Sequence, residues 1–150
     1  MASHFKDFMG AKLALFVGGR LLSLQRDDAP GLLWAGHWDL PGGGREGQET
    51  PLACVIREAE EELSIKIVQS QITWARAYTN SIGRTVWFLV GTASPKLEAR
   101  IRLGDEGQAW ALYDPAEFMA LDNAVPQFKS RLTDYWGGVK PDVWYGKTPR

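Results

Sequence analysis

Glu58, Glu61 and Glu62 stand at i, i+3 and i+4 in the run REAEEEL. On a helix they fall within one arc of about 100°. That arc borders the apolar face near the helix C-terminus. Like charges at this spacing and the negative end of the helix dipole each disfavour them by about a few tenths of a kcal/mol. A bound divalent cation reverses the sign of both effects, and oxygen-only ligands select a hard ion, Mg²⁺ or Mn²⁺. An ordinary solvated acidic face would also carry these glutamates, so the acids alone do not decide the matter. The residues upstream do. Gly43 is followed after five residues by Glu49, after seven more by Arg57-Glu58, and after two more by Glu61-Glu62. A chance match to six fixed positions in a chain this long is on the order of one in 10⁵, which sets the acidic-surface reading aside.

The elements that position these residues are readable around them. Thr50-Pro51 is a helix start, with Thr as N-cap and Pro at the first helical position. Leu52, Val55, Ile56, Ala59 and Leu63 follow at helical spacing and form one apolar face. Upstream, Lys12 to Val17 and Arg20 to Gln25 are strands joined at Gly18-Gly19. Asp27 to Gly36 reads as a loop, His37 to Leu40 as a short strand, and Pro41 to Gly44 as a turn. Downstream, Ile65 to Val68, Ile72 to Thr79, Arg84 to Ala93 and Gln108 to Tyr113 read as strands, with a turn over Asn80 to Gly83. Asp114-Pro115-Ala116-Glu117 opens a short helix. A last helix runs from about Val125 to Trp136 and stops at Gly137-Gly138. The segment from Val139 shows no period. Strands, one long helix, more strands and then helices give an α/β class, with helices packed on a mixed sheet.

The whole chain bounds the partners. Its 150 residues suit one domain with a real core. A net charge of -1 offers no basic field for long nucleic acid, so a small anionic ligand needs a local site or a metal. The longest apolar runs fall far short of a membrane span, and the N-terminus lacks the apolar core of a signal peptide. One cysteine, Cys54, excludes an intramolecular disulfide and points to a reducing compartment, the cytoplasm. Its apolar neighbours make it an inert packed thiol.

The segment resembles the Nudix box. Gly43, Glu49, Arg57, Glu58, Glu61 and Glu62 match it, Ala59 and Ile65 fill its two apolar positions, and Trp38-Asp39-Leu40-Pro41-Gly42-Gly43 looks like the run that precedes it in many members. The resemblance implies an α/β/α sandwich with a mixed β-sheet. It implies one domain over 1–150, with a core of roughly 10–137 and the last residues unassigned. One position departs: the family pattern has Gly after the helix, and here Ser64 follows. At positive φ, Ser would cost roughly 1 kcal/mol more than Gly.

By resemblance, Glu58, Glu61 and Glu62 would hold Mg²⁺, with Mn²⁺ as the alternative. The Gly42 carbonyl would be an additional ligand and Glu49 a further one or a partner of the ligands. Arg57 would orient the carboxylates; as a plain surface residue it would simply pair with Glu61. The chemistry implied is attack of water on a diphosphate, with a carboxylate taking the proton. Glu58 and Glu62 belong to that machinery. Many members use a Glu from a later loop, where Glu106 is the counterpart here and Asp105 its neighbour. Substrate contacts would come from Arg26, His37, Trp38, Gly43 and Asn123. Three of them have a plainer reading: Arg26 beside Asp27 and Asp28, Trp38 in core–loop packing, and Asn123 as a helix N-cap. The short form of the chain favours a MutT-like pyrophosphohydrolase acting on a nucleoside triphosphate, oxidised or non-standard bases included. ADP-ribose, other nucleotide sugars and dinucleoside polyphosphates stay open, as does a homodimer. A different class, a nucleotide-sensing module without turnover, fits less well because all the box acids are present.

Overall fold

A computed structural model of the chain describes residues 7–146. The first two strands are β1 (Gly10–Val17) and β2 (Arg20–Gln25), as the hairpin signal predicts. They pair only beside their turn, Phe16 with Leu21 and Val17 with Arg20. Beyond it they diverge, and the segment 38–44 fills the gap. There β3 (Trp38–Asp39) pairs with β2, and β4 (Gly42–Gly44) pairs with β1. The glycines expected to form a free turn are thus a short strand on the sheet.

The rest of the sheet is β5 (Ile72–Thr79), β6 (Thr85–Ala93), β7 (Ala109–Tyr113) and β8 (Val143–Trp144). The main order is β3-β2-β1-β6-β5-β8, with β4 on β1 and β7 on β2. β1 and β6 run parallel and the other pairs antiparallel, so the sheet is mixed. Alternation along β1 divides its side chains between two faces. Leu13 and Leu15 pack with Val55, Ala59 and Leu63 of helix α1 (Pro51–Leu63). Ala14 and Phe16 face Phe118 of α2 (Pro115–Ala120) and Phe128 and Leu132 of α3 (Pro126–Trp136). Helices on both faces make the α/β/α sandwich. No helix among the described residues is long and apolar enough to cross a membrane.

Three further segments differ from their sequence-based reading. Ile65 to Val68 is not a strand: Ile65 and Ile67 are buried in the α1-side core, but the segment pairs with no neighbour. Its alternation reports burial, not a hydrogen-bonded ladder. Pro95–Arg100 forms an unforeseen 3₁₀ turn with Pro at its start and the Ser94 hydroxyl accepting from the Lys96 N–H. The stretch after α3 returns as β8, with Trp144 opposite Trp74 and Val143 opposite Ala75.

Candidate active site

Helix α1 is fixed at its start by Thr50, whose hydroxyl accepts from the Ala53 N–H at 3.1 Å. Its buried face, Cys54, Val55, Ala59 and Leu63, then sets the direction of every other side chain. Glu58 and Glu62 turn inward toward β4. Glu61 turns outward: its side chain is 56% exposed, against 16% for Glu58. The Gly42 N–H donates to Glu62 Oε1 at 2.8 Å. A Cβ on Gly43 would lie 2.7 Å from Glu58 Oε1, and one on Gly42, at φ 139°, would lie 2.1 Å from the Ala11 carbonyl oxygen. Only glycine permits this approach of backbone to carboxylates.

Arg57 ties the cluster together. Its guanidinium donates to both oxygens of Glu49 at 2.8 and 3.1 Å, to Glu58 Oε1 at 3.0 Å, to Glu61 Oε2 at 3.2 Å and to the Gly44 carbonyl at 2.8 Å. The two-point grip on Glu49 is the strongest geometry available to this pair. It holds the Glu49 carboxyl below its ordinary range and raises Arg57 in turn. The Arg57–Glu61 pair is therefore one contact of several. Glu62 lies outside this grip. Burial first, then the Glu58 and Asp39 charges, push its carboxyl up to about 7, against the pull of Lys12 and the Gly42 N–H. Cys54 is fully buried, and burial first pushes its thiol up to about 11.

Two residues that the spacing did not single out complete this region. Lys12, inside β1, places its ammonium 3.0 Å from Asp39 Oδ1 and 3.2 Å from the Gly42 carbonyl oxygen. Asp39, 4% exposed, also accepts from Arg26 at 3.0 Å. A lysine interrupting the apolar strand GAKLALFV was the available signal, since such a residue is rarely buried without a partner.

The expected substrate contacts scatter. Arg26 is engaged with Asp39 and with the Leu33 carbonyl at 2.9 Å. His37 meets Trp34 edge-on at 5.2 Å between ring centres. Trp38 meets Tyr113 in the same way at 5.2 Å and packs on the α2–α3 core, its plainer reading. Asn123 is exposed, and its carbonyl accepts from the Trp38 N–H at 2.7 Å. It is not the cap of α3, because that helix begins at Pro126 with Val125 as N-cap. Asp105 and Glu106 are exposed. Their loop is fastened to the end of α1 by the Gly104 N–H on the Glu62 carbonyl at 2.8 Å and the Arg102 N–H on the Leu63 carbonyl at 3.0 Å.

A cleft of about 560 Å³ opens beside the glycine strand. Lys12, Gly43 and Gly44 line one side; Trp34, Trp87, Phe128 and Arg131 are among the residues lining the rest. Of the expected substrate contacts, only Gly43 borders it. Among the described residues, no three acid, histidine or cysteine side chains converge closely enough to hold a metal ion. The donor chemistry nevertheless fits a hard cation: Glu58, Glu61, Glu62 and the Gly42 carbonyl offer only oxygens. Positive groups already stand among them, Arg57 on Glu58 and Lys12 on the Gly42 carbonyl.

A mixed sheet between two helical layers, with an acidic helix end facing a glycine strand, defines an α/β/α architecture able to bring a cation and an anionic ligand together. The sequence profile described as NUDIX domain matches residues 10–135. A MutT-like protein of Streptomyces ambofaciens is 32% identical over 83% of this chain and 73% of its own length. An RNA pyrophosphohydrolase of Acidiphilium cryptum is 34% identical over 45% of this chain and 40% of its own length. The structure is similar to a C. elegans Ap4A hydrolase binary complex, with a TM-score of 0.68 and 20% identity over 85% of this chain and 96% of that one. The chain belongs to the Nudix family and is a hydrolase of that family. Its members generally require divalent metal ions.

Proposed function

We propose that the protein hydrolyses a diphosphate bond in a nucleoside diphosphate linked to a further group, with nucleoside triphosphates as the leading substrates and Mg²⁺ as the ion. The observation that carries this reading is the set of α1 carboxylates turned onto the Gly42–Gly43 strand at the edge of the cleft. Glu58, Glu61, Glu62 and the Gly42 carbonyl would hold the ion, with Glu49 behind them. When bound, the ion supplies an activated water and neutralises charge on the phosphoryl oxygens. Arg57 orients Glu58 and Glu49 through the hydrogen bonds it makes to both. Lys12, held at the same edge on Asp39 and the Gly42 carbonyl, would contribute positive charge for a phosphate entering the cleft. Glu58 takes the proton of the attacking water, and Glu106 on the loop fastened to α1 is the alternative acceptor.

The relatives, named as an RNA pyrophosphohydrolase and an Ap4A hydrolase, fit a common reaction on different leaving groups. The test is a panel of nucleoside triphosphates, nucleotide sugars and dinucleoside polyphosphates, incubated with Mg²⁺ or Mn²⁺ and scored by the phosphates released. Turnover that needs the metal and yields pyrophosphate or a mononucleotide is expected. Inertness across the panel would overturn the proposal and leave a nucleotide sensor.

A further inference from the structure

The cleft beside Gly43 carries a charge that the carboxylate chemistry does not use. Arg131, on α3, lines it and is only 8% exposed. An arginine this buried ordinarily has a carboxylate against it. Here the guanidinium lies over the ring of Tyr78 at 4.9 Å and that of Phe128 at 5.9 Å. Among the described residues no oxygen accepts a hydrogen bond from it. Asp134, one turn further on, accepts instead from the Tyr78 hydroxyl at 2.9 Å. The only enclosed side-chain nitrogen or oxygen without a partner among the described residues is Nε of Arg76. The Arg131 nitrogens are therefore not sealed in protein and open onto the cleft.

What surrounds them is flat and apolar. Trp34, Trp87 and Phe128 line the same cleft. Trp34 is held at φ 56°, a left-handed backbone that a bulky residue seldom adopts, beside the edge of His37. The volume is that of a small-molecule site, and aromatic walls suit a heteroaromatic ring. The diphosphate side of the site is already supplied by Lys12 and the acids, so a base rather than a phosphate falls to Arg131. A guanidinium has donors only. It matches a ring edge with two acceptors, such as O6 and N7 of guanine or hypoxanthine, and opposes adenine, whose amino group places a donor there.

Resting on the nucleotide-hydrolase reading above, we propose that Arg131 selects the base, an oxo-purine whose O6 and N7 accept from its guanidinium. Equilibrium binding of GDP, IDP and ADP to the full chain with Mg²⁺ tests it without turnover. GDP and IDP are expected to bind about tenfold or more tightly than ADP, and 7-deaza-GDP, lacking the N7 acceptor, to fall between. Arg131→Gln is expected to bring GDP and ADP within about twofold of each other. Equal affinity of the natural chain for GDP and ADP overturns the assignment, as does failure to bind any of the three. A chain that prefers GDP but hydrolyses nothing refutes the hydrolase reading alone. Turnover without base preference refutes only this assignment.

Discussion

The two sides of the cleft satisfy their charges in opposite ways. On the Gly43 side, ions hold one another: Arg57 spans Glu49, Glu58 and Glu61, while Lys12 and Arg26 share Asp39. On the α3 side, one buried cation rests on the faces of Tyr78 and Phe128, with no anion opposite among the described residues. A cross-linked cluster has its geometry set before any ligand arrives, which suits orientation of a reacting group. An arginine against aromatic faces retains donors that a ligand can satisfy, which suits discrimination. The contrast therefore separates chemistry from choice, and each side can be tested without the other.

The largest expected effect breaks the first side. Glu58→Gln or Glu62→Gln should lower kcat on the order of 10³-fold, because each removes a charge from the proposed ion site while keeping the side-chain shape. The ratio of GDP to ADP affinity in the same variants should stay where it is. Steady-state kinetics and binding on one preparation read both. A collapse of the ratio together with kcat would mean that the two sides are one unit.

The difference between the sides also explains what the sequence could disclose. The acids, Arg57 and the glycines lie within one continuous stretch, and helical periodicity relates Glu58 to Glu61 and Glu62 without any tertiary knowledge. The α3 side is assembled from the loop carrying Trp34, the β5–β6 connection, β6 and α3, which no local spacing links. Arg131 did leave a trace, standing three residues after Phe128 and next to Leu132 on the inward face of α3. Trp34 left none, since its left-handed backbone is imposed by the loop. The sheet was legible in the long apolar runs of β1 and β6, buried on both faces, and in β5. It was not legible for the two-residue β8, which only its partner β5 defines. Ile65 to Val68 erred the other way, because alternation records which side chains are buried and not which backbones pair.

A smaller loss should follow at Arg57. Arg57→Lys keeps the charge but loses the fork that grips both oxygens of Glu49 and reaches Glu58. Activity is expected to fall about 10- to 100-fold, through kcat more than KM, since the residue positions the ligands rather than touching substrate. Recovery of full activity with lysine would show that charge alone matters and that the cluster is less rigid than the contrast requires.

Protons sharpen the same side. The Glu62 carboxyl stands near 7 in the folded chain, above its ordinary 4.5, because of burial. Between those values the folded state holds the proton that the unfolded state has released. This contribution is present at low pH, is lost as pH rises from about 4.5 to about 7, and is flat above. In chelator, unfolding free energy should therefore decline by about 1–3 kcal/mol over that window. Glu49 acts with the opposite sign, but its lowered value places its loss on further acidification, below the window. Denaturant titrations of the natural chain and of Glu62→Gln provide the comparison, and the variant should lack the decline. An equal slope in both proteins would assign it to another group.

The smallest effect concerns the end of the acidic helix. Ser64 caps α1 at φ 62° and ψ 26°, the left-handed conformation in which glycine is at ease, and its N–H reaches the Glu60 carbonyl at 3.0 Å. Ser64→Gly removes that strain, worth about 1 kcal/mol. It also removes the hydroxyl, which donates to the Arg102 carbonyl at 3.2 Å from an exposed position, so the net gain should be about half of that. Melting temperature should rise by about 1 to 2 °C, with kcat unchanged, because the buried face of α1 and the Arg57 bonds already fix Glu58 and Glu62. A change in kcat without a change in KM would locate part of that fixing in the cap. The loop bearing Glu106 would then be the element through which it acts, since Ser64 holds Arg102 and Glu62 holds Gly104 on that same loop.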